Sequence, residues 1–203
     1  MNSKELQLII KCGETSTVQF KECFPNQDSI AAEMVAMSNA RGGMILFGIK
    51  DKTGEIIGLS YQEIQQLNSI LANIATNLLR PVIYIQTETV IVDERSLLIA
   101  HIAEGDNKPY KDLNGIIWTK QGEDKRKVME NSEIMRLFQC SGILYADEQP
   151  IPFTSEKDIN GYALDNFIRK EYGREKDSFG ILYTELLHNP VSYTHLTLPT
   201  TSR

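Results

Sequence analysis

Apolar residues along this chain fall into short blocks whose spacing switches between helical and strand periods. Ile64, Leu67, Leu71, Ile74 and Leu78 recur at three- and four-residue steps, one stripe of a helix that covers a core. Pro81 forbids its continuation. Its start is marked by Ser60 and Glu63 as a capping box, with Leu59 and Ile64 as the hydrophobic staple. Upstream, the run SIAAEMVAMSNA follows Asp28 as N-cap and stops at Arg41-Gly42-Gly43. Its small and unbranched apolar residues predict a largely buried helix. MILFGI is a strand, too short for a helix before Asp51, and Asp51-Lys52-Thr53-Gly54 turns it into a returning strand over Glu55 to Leu59. A short helix over Lys4 to Ile10 and an extended piece over Thr17 to Lys21 precede these elements.

Beyond Pro81, Val82 to Val92 and Ser96 to Ile102 read as two strands of a hairpin about Asp93-Glu94-Arg95. Gly115 to Lys120 is a short strand, Gln121 to Lys127 a polar loop, and Asn131 or Ser132 caps a helix through Phe138. The alternation predicts an α/β (α+β) domain over residues 1–140, a mixed β-sheet flanked by helices. Residues 141–190 read differently: an extended linker over Asp147 to Pro152, an amphipathic helix over Ala163 to Tyr172 ended by Gly173, and a helix over Phe179 to Leu187. They predict a short helical extension that begins a further C-terminal region. Residues 191–203, VSYTHLTLPTTSR, are Thr-rich with almost no charge and resemble a translated sequencing adapter, so the natural chain is expected to continue differently beyond Pro190.

At 203 residues with 41% hydrophobic and 24% charged content, the chain can bury one sizeable core. Its longest apolar runs fall far short of a bilayer span and its N-terminus lacks a signal-peptide core, which predicts a cytoplasmic protein without a membrane partner. Cys12, Cys23 and Cys140 lack C-x-x-C spacing and predict reduced thiols. The net charge of -6 excludes uniform coating of nucleic acid, because phosphate binding needs cations that displace counterions. From Asp106 to Lys127, however, six Lys/Arg stand against four Asp/Glu, a local basic excess.

Catalytic machinery is sparse. His101, His188 and His195 are scattered, and no phosphate loop G-x-x-x-x-G-K-[ST], no G-x-G-x-x-G and no G-x-S-x-G occurs. Asn39-Ala40-Arg41-Gly42-Gly43 stands between a buried helix and a buried strand. Its spacing fits either a glycine turn that ends the helix or a backbone cradle for phosphate oxygens.

The order Gly13-Glu14-Thr15, Gln19-Phe20-Lys21, Ala36, Asn39, Gly42-Gly43, Gly48-Ile49, Asp51, Gly54, Ile56 and Gly58 resembles the AlbA_2 domain of Schlafen proteins and prokaryotic regulator-like proteins. Lys108-Pro109-Tyr110, Trp118-Thr119-Lys120-Gln121-Gly122 and a closing helix over Asn131 to Leu137 are similar to its later segments, so the resemblance runs from Gly13 to Phe138. It implies a DNA- or RNA-binding domain of a transcriptional-regulator type. Lys21, Arg41, Lys108, Lys120, Lys125 and Arg126 would touch phosphates, and Asn39, Gly42 and Gly43 would shape the site. Lys120 stands where the family more often has Arg, which keeps the charge and loses the bidentate fork.

Some Schlafen relatives are nucleases that hold a divalent metal on three carboxylates. Glu14 and Asp51 match two of them, while the third position is Gln19, a poor ligand for a hard cation. The resemblance therefore implies binding without a cofactor, with a metal only in the nuclease alternative. Members with a similar linker and following helix continue into ATPase-like and winged-helix regions labelled helicase-related or ATP-binding. The acidic charge also fits a protein-interaction or dimerisation module, with a homodimer through the sheet edge after Ile102 as one form.

Overall fold

Hydrophobic period and capping chemistry yield, in chain order, α1 (Ser3–Cys12), β1 (Val18–Lys21), α2 (Gln27–Asn39), β2 (Gly43–Phe47), α3 (Tyr61–Asn73), β3 (Leu79–Arg80), β4 (Ile85–Val92), β5 (Arg95–Ile102), β6 (Lys111–Asp112), β7 (Trp118–Gln121), β8 (Asp124–Lys127), α4 (Asn131–Cys140) and α5 (Gly161–Tyr172). The structure is a computed structural model that describes residues 1–22, 26–51, 53–143 and 160–173. The chain divides into two units, Met1–Leu144 and Tyr145–Arg203. No helix among the described residues is long and apolar enough to cross a membrane.

The first unit has mixed α/β architecture. Its main sheet has the order β1-β2-β5-β4, with β1 and β2 parallel and the rest antiparallel. Side chains alternate between its faces. Ile45, Phe47, Leu98, Ala100 and Ile102 pack with α2 and α3 on one side. Val18, Phe20, Leu46, Val90, Val92, Leu97 and Ile99 pack with Leu6 and Ile10 of α1 on the other. Two-stranded ribbons β3-β6 and β7-β8 complete the unit.

Local signals place most boundaries. Ser60 accepts from the Glu63 amide and Glu63 from the Ser60 amide, as the capping box requires. That amide also holds the Glu63 carboxyl below its ordinary range. Asn2 and Glu5 form a second such box at the start of α1. The stripe of α3 runs on through a π-helical turn, Ile74–Leu78, to β3. Asp93 and Glu94 have φ of 49° and 63° and make the tight β4-β5 turn.

Several expectations need correction. The N-cap of α2 is Asn26, whose side chain accepts from the Asp28 amide, so Asp28 lies in the first turn. Glu55 to Leu59 turns back antiparallel but forms no regular strand: it makes the Ile49–Ile56 bridge, with Lys50 N donating to Glu55 O and Ile57 N to Gly48 O, and positive φ at Gly54 and Gly58 breaks the extended path. The Gln121 to Lys127 segment is half of a hairpin, with β8 returning along β7. The strand expected over Gly115 to Lys120 starts at Trp118, because Asp112 holds the preceding residues in a loop by accepting from the Asn114 and Ile116 amides. Glu130 precedes α4 without a side-chain cap. β5 lies between β2 and β4, so Ile102 is not at a sheet edge.

In the second unit, α5 starts after Asn160, whose side chain accepts from the Ala163 amide, and ends at Gly173 in the left-handed conformation. The linker over Asp147 to Pro152, the helix over Phe179 to Leu187 and the tail 191–203 lie outside the described residues.

One polar cluster ties α1 to the sheet. The Glu88 carboxylate takes His101 Nε2 at 2.8 Å and the Met1 ammonium at 2.9 Å. The His101 hydrogen bond, then the Met1 ammonium, hold Glu88 below the ordinary carboxylate range. A carboxylate depressed in the folded state stabilises fully above its unfolded value, and that contribution is lost as pH falls through the folded one. The urea midpoint should therefore decline on acidification through and below the ordinary glutamate range. Glu88→Gln should flatten that part of the profile, and an unchanged profile in the variant would assign the acid sensitivity elsewhere.

Candidate nucleic-acid interface

α2 is buried from Ile30 to Asn39, so its polar residues must find partners inside the protein. Glu33 is only 2% exposed and receives Lys120 Nζ on Oε1 at 2.7 Å and Lys125 Nζ on Oε2 at 3.2 Å. Lys120 also donates to the Glu123 carbonyl, and Lys125 to Ser29 Oγ at 3.5 Å. The Lys120 side chain is 2% exposed and that of Lys125 25%. These lysines are cross-strand neighbours, so both ammonium groups reach the same face of the hairpin. On its opposite face, Arg126 grips Glu133 of α4 with both terminal nitrogens, which raises the guanidinium pKa. The hairpin is thus fastened between two helices by carboxylates.

Asn39 sits one helical turn and a half further along. Its amide nitrogen donates to the carbonyls of Tyr110 (2.9 Å) and Trp118 (2.8 Å), and its oxygen accepts from the Tyr110 amide (2.8 Å). Gly42, at φ 74°, lies against the backbone of Ile102 and Glu104, where an added Cβ would meet Ile102 O at 2.6 Å. A Cβ on Gly43 would meet Thr17 O at 2.6 Å. The glycine pair therefore lets β2 enter between β1 and β5. Buried Lys108 donates to Ala40 O at 3.0 Å and to Glu104 at 2.6 Å.

The other resemblance residues seal the outer edge of β1. Met44 N and Gly48 N donate to Thr17 O and Lys21 O, so Val18 and Phe20 direct their backbone polar groups away from β2. Val18 O accepts from Thr15 N and Gln19 Nε2, Phe20 N donates to Glu14 Oε1 at 2.9 Å, and Phe20 O accepts from Lys21 Nζ. Lys21 also pairs with Asp51 at 2.8 Å. Gln19 Nε2 reaches Glu123 O at 2.9 Å, joining β1 to the hairpin turn.

A divalent ion does not fit this set. One Glu14 oxygen holds a backbone N–H, Asp51 faces an ammonium and the Gln19 amide donates to two carbonyls. Hard cations require several anionic oxygens turned inward. Among the described residues, no group of three or more His, Cys, Asp or Glu is placed to hold a metal.

Of the residues expected at phosphates, Arg41 alone is an exposed cation without an intramolecular partner among the described residues. Three further cations, on the β3-β6 and β7-β8 ribbons, were not singled out by the sequence. Lys111 is exposed and lies across from Arg80 in the β3-β6 ribbon. Arg80 spends its guanidinium on the Thr76 and Leu79 carbonyls rather than on a carboxylate. Lys127 lies 5.5 Å from the centroid of Trp118, its cross-strand partner. The Trp118 indole donates to Asp112, next to Lys111. The ribbons that carry them meet the end of α2, where Asn39 holds the carbonyls of Tyr110 and Trp118. The signal available in the sequence was the parity of DKRK: in an extended strand, Lys125 and Lys127 share one face and only the latter sits opposite an aromatic.

The family model described as Schlafen, AlbA_2 matches residues 14–130. An "Uncharacterized ATP-binding protein" of Ureaplasma parvum is 31% identical over 142 residues, 67% of this chain and 38% of that protein. The chain thus spans under two fifths of that relative's length. The crystal structure of the DIP2311 protein from Corynebacterium diphtheriae matches 91% of this chain and 40% of its own at 21% identity, with a TM-score of 0.50, a likeness of fold. The N-terminal domain of a RecG-related protein from Nitrosomonas europaea covers 64% of this chain and 96% of its own at 19% identity and a TM-score of 0.46.

Removing Glu33 would strand the ammonium of Lys120 in the interior. Breaking a buried ion pair from one side costs about 3–5 kcal/mol. Glu33→Ala should lower unfolding stability by that order, and Glu33→Leu combined with Lys120→Met should restore most of it. Urea denaturation checks both; a loss below about 1 kcal/mol in the single variant would contradict the fastening role.

Proposed function

Because the chain belongs to the Schlafen AlbA_2 family, we propose that its first unit is a nucleic-acid-binding module of a prokaryotic regulator-like protein, acting on the sugar-phosphate backbone. The observation that carries this reading is the sorting of cations. In a chain of net charge -6, most of the lysines and arginines at motif positions are bound to carboxylates, while among the described residues Arg41, Lys111 and Lys127 stay free of them, Lys127 over the Trp118 ring.

Lys111, Lys127 and Arg41 make the phosphate contacts, with Arg80 flanking. Trp118 is partly exposed and already carries a cation on its ring face; an unpaired base can take that place by stacking. Such a surface reads no sequence, since it offers phosphate contacts and a π-face and no array of donors for base edges. Lys21, Lys108, Lys120, Lys125 and Arg126 support this surface through the ion pairs that fix the hairpin, β1 and the Lys108 loop. Binding proceeds without hydrolysis, given the occupied carboxylates of Glu14 and Asp51. The ATP binding in the name of the Ureaplasma relative is not carried over to this chain, whose 203 residues hold no G-x-x-x-x-G-K-[ST] loop to support it.

Trp118 is the only tryptophan in the chain, so its fluorescence reports directly on the surface. Single-stranded oligonucleotides should quench it, and affinity should fall linearly with log salt. The triple variant Arg41→Ala/Lys111→Ala/Lys127→Ala should reduce the magnitude of that slope by about 2–3 while leaving the fold intact. Equal binding by the triple variant, or no binding by the parent at low salt, would overturn the assignment.

A further inference from the structure

The two edges of the main sheet are finished differently. On β1, the outward carbonyls and the Phe20 amide are satisfied by Thr15, Gln19, Glu14 and Lys21. Among the described residues, nothing comparable exists on β4. The two-residue turn at Asp93 and Glu94 makes Val92 and Arg95 a hydrogen-bonded pair, and Val90, Glu88 and Gln86 follow at steps of two. The amides and carbonyls of Ile85, Thr87, Thr89 and Ile91 therefore point away from β5. No hydrogen bond from the described residues reaches them.

Edges that stay unpaired carry lysine, proline or a bulge. The sequence IQTETVIV has neither lysine nor proline, and its pairing with β5 is continuous from Ile85 to Val92. Its one charge, Glu88, is held by His101 and the Met1 ammonium. Thr87, Thr89 and Ile91 are exposed on the α2/α3 face, Ile91 at 63%. This is a strand rich in β-branched residues, paired without a bulge, whose outer ladder is open among the described residues.

We infer that β4 pairs antiparallel with β4 of a second copy of this chain, joining the two main sheets across a two-fold axis. An axis normal to the sheet keeps each face on its own side, so residues meet partners of the same parity. Centring on Glu88 would set two carboxylates opposite each other, which is destabilising. Centring on Thr89 instead sets Thr89 against Thr89 of the second copy, with Thr87 against Ile91 on either side. Those are favourable cross-strand pairs of β-branched residues. The strand is complementary to itself in that register, which selects a second copy as its partner. The second copy joins an edge distinct from the proposed phosphate surface, so this inference stands independently of that reading.

Sedimentation equilibrium on the full chain tests it. The parent should sediment at twice 23.0 kDa. Thr89→Lys sets two ammonium groups face to face on the axis and should return the mass to 23.0 kDa, with unchanged far-UV circular dichroism because the Thr89 side chain is exposed. Ile91→Lys, at a second exposed position, should act in the same direction and guards against a folding defect in the first variant. A parent that is monomeric at about 100 µM, which would put any Kd above that range, overturns the inference. So does a dimer that persists in both folded variants.

Discussion

The carboxylate of Glu33, buried in a helix that is covered almost all round, is the constraint from which much of the first unit follows. A charge at 2% exposure is tolerated only where opposite charge and hydrogen bonds meet it. Lys120 and Lys125 can do so only if they project from adjacent strands onto one face, which forces Trp118 to Lys127 into a hairpin lying along α2. With the hairpin there, its turn carbonyl reaches Gln19 of β1 and Arg126 meets α4 on the other side. One ion cluster thus organises elements separated by about a hundred residues of chain.

The parts of the fold legible in the sequence are those with local causes. The capping box at Ser60 and Glu63, the stripe of α3, the apolar run of β2 and the turn at Asp93 and Glu94 each depend on residues within a few positions of one another. The β7-β8 hairpin escaped because β8 meets carboxylates rather than apolar core: Lys125 turns to Glu33 and Arg126 to Glu133. A period-two search for hydrophobic residues cannot register such a strand. The returning strand expected over Glu55 to Leu59 failed for a different reason, since left-handed φ at Gly54 before it and at Gly58 within it takes the backbone out of an extended path.

The same distinction explains how much of the candidate interface could be read in advance. A basic excess over Asp106 to Lys127 is visible from composition, yet which of its cations are available depends on carboxylates at Glu33, Glu104 and Glu133, whose placement is tertiary. Counting charges along a chain treats a lysine held inside an ion triad and a lysine over a tryptophan as equal. Only the second can exchange counterions for phosphate without breaking an ion pair of the protein.

The residues that carry the family resemblance prove to be those that hold the fold. Glu14, Gln19 and Lys21 seal β1, Asn39 fixes the strands beside α2, Gly42 and Gly43 admit β2 between its neighbours, and Lys108 and Lys120 neutralise Glu104 and Glu33. Each role fixes residue type closely, since a Cβ at Gly42 would sit 2.6 Å from a carbonyl and a neutral residue at 120 would leave Glu33 with only Lys125. A motif built from such positions transmits architecture. The surface that architecture presents is set by residues between the motif positions, Lys111, Lys127 and the outward side of β4 among them, where the fold places few demands and a partner can place its own.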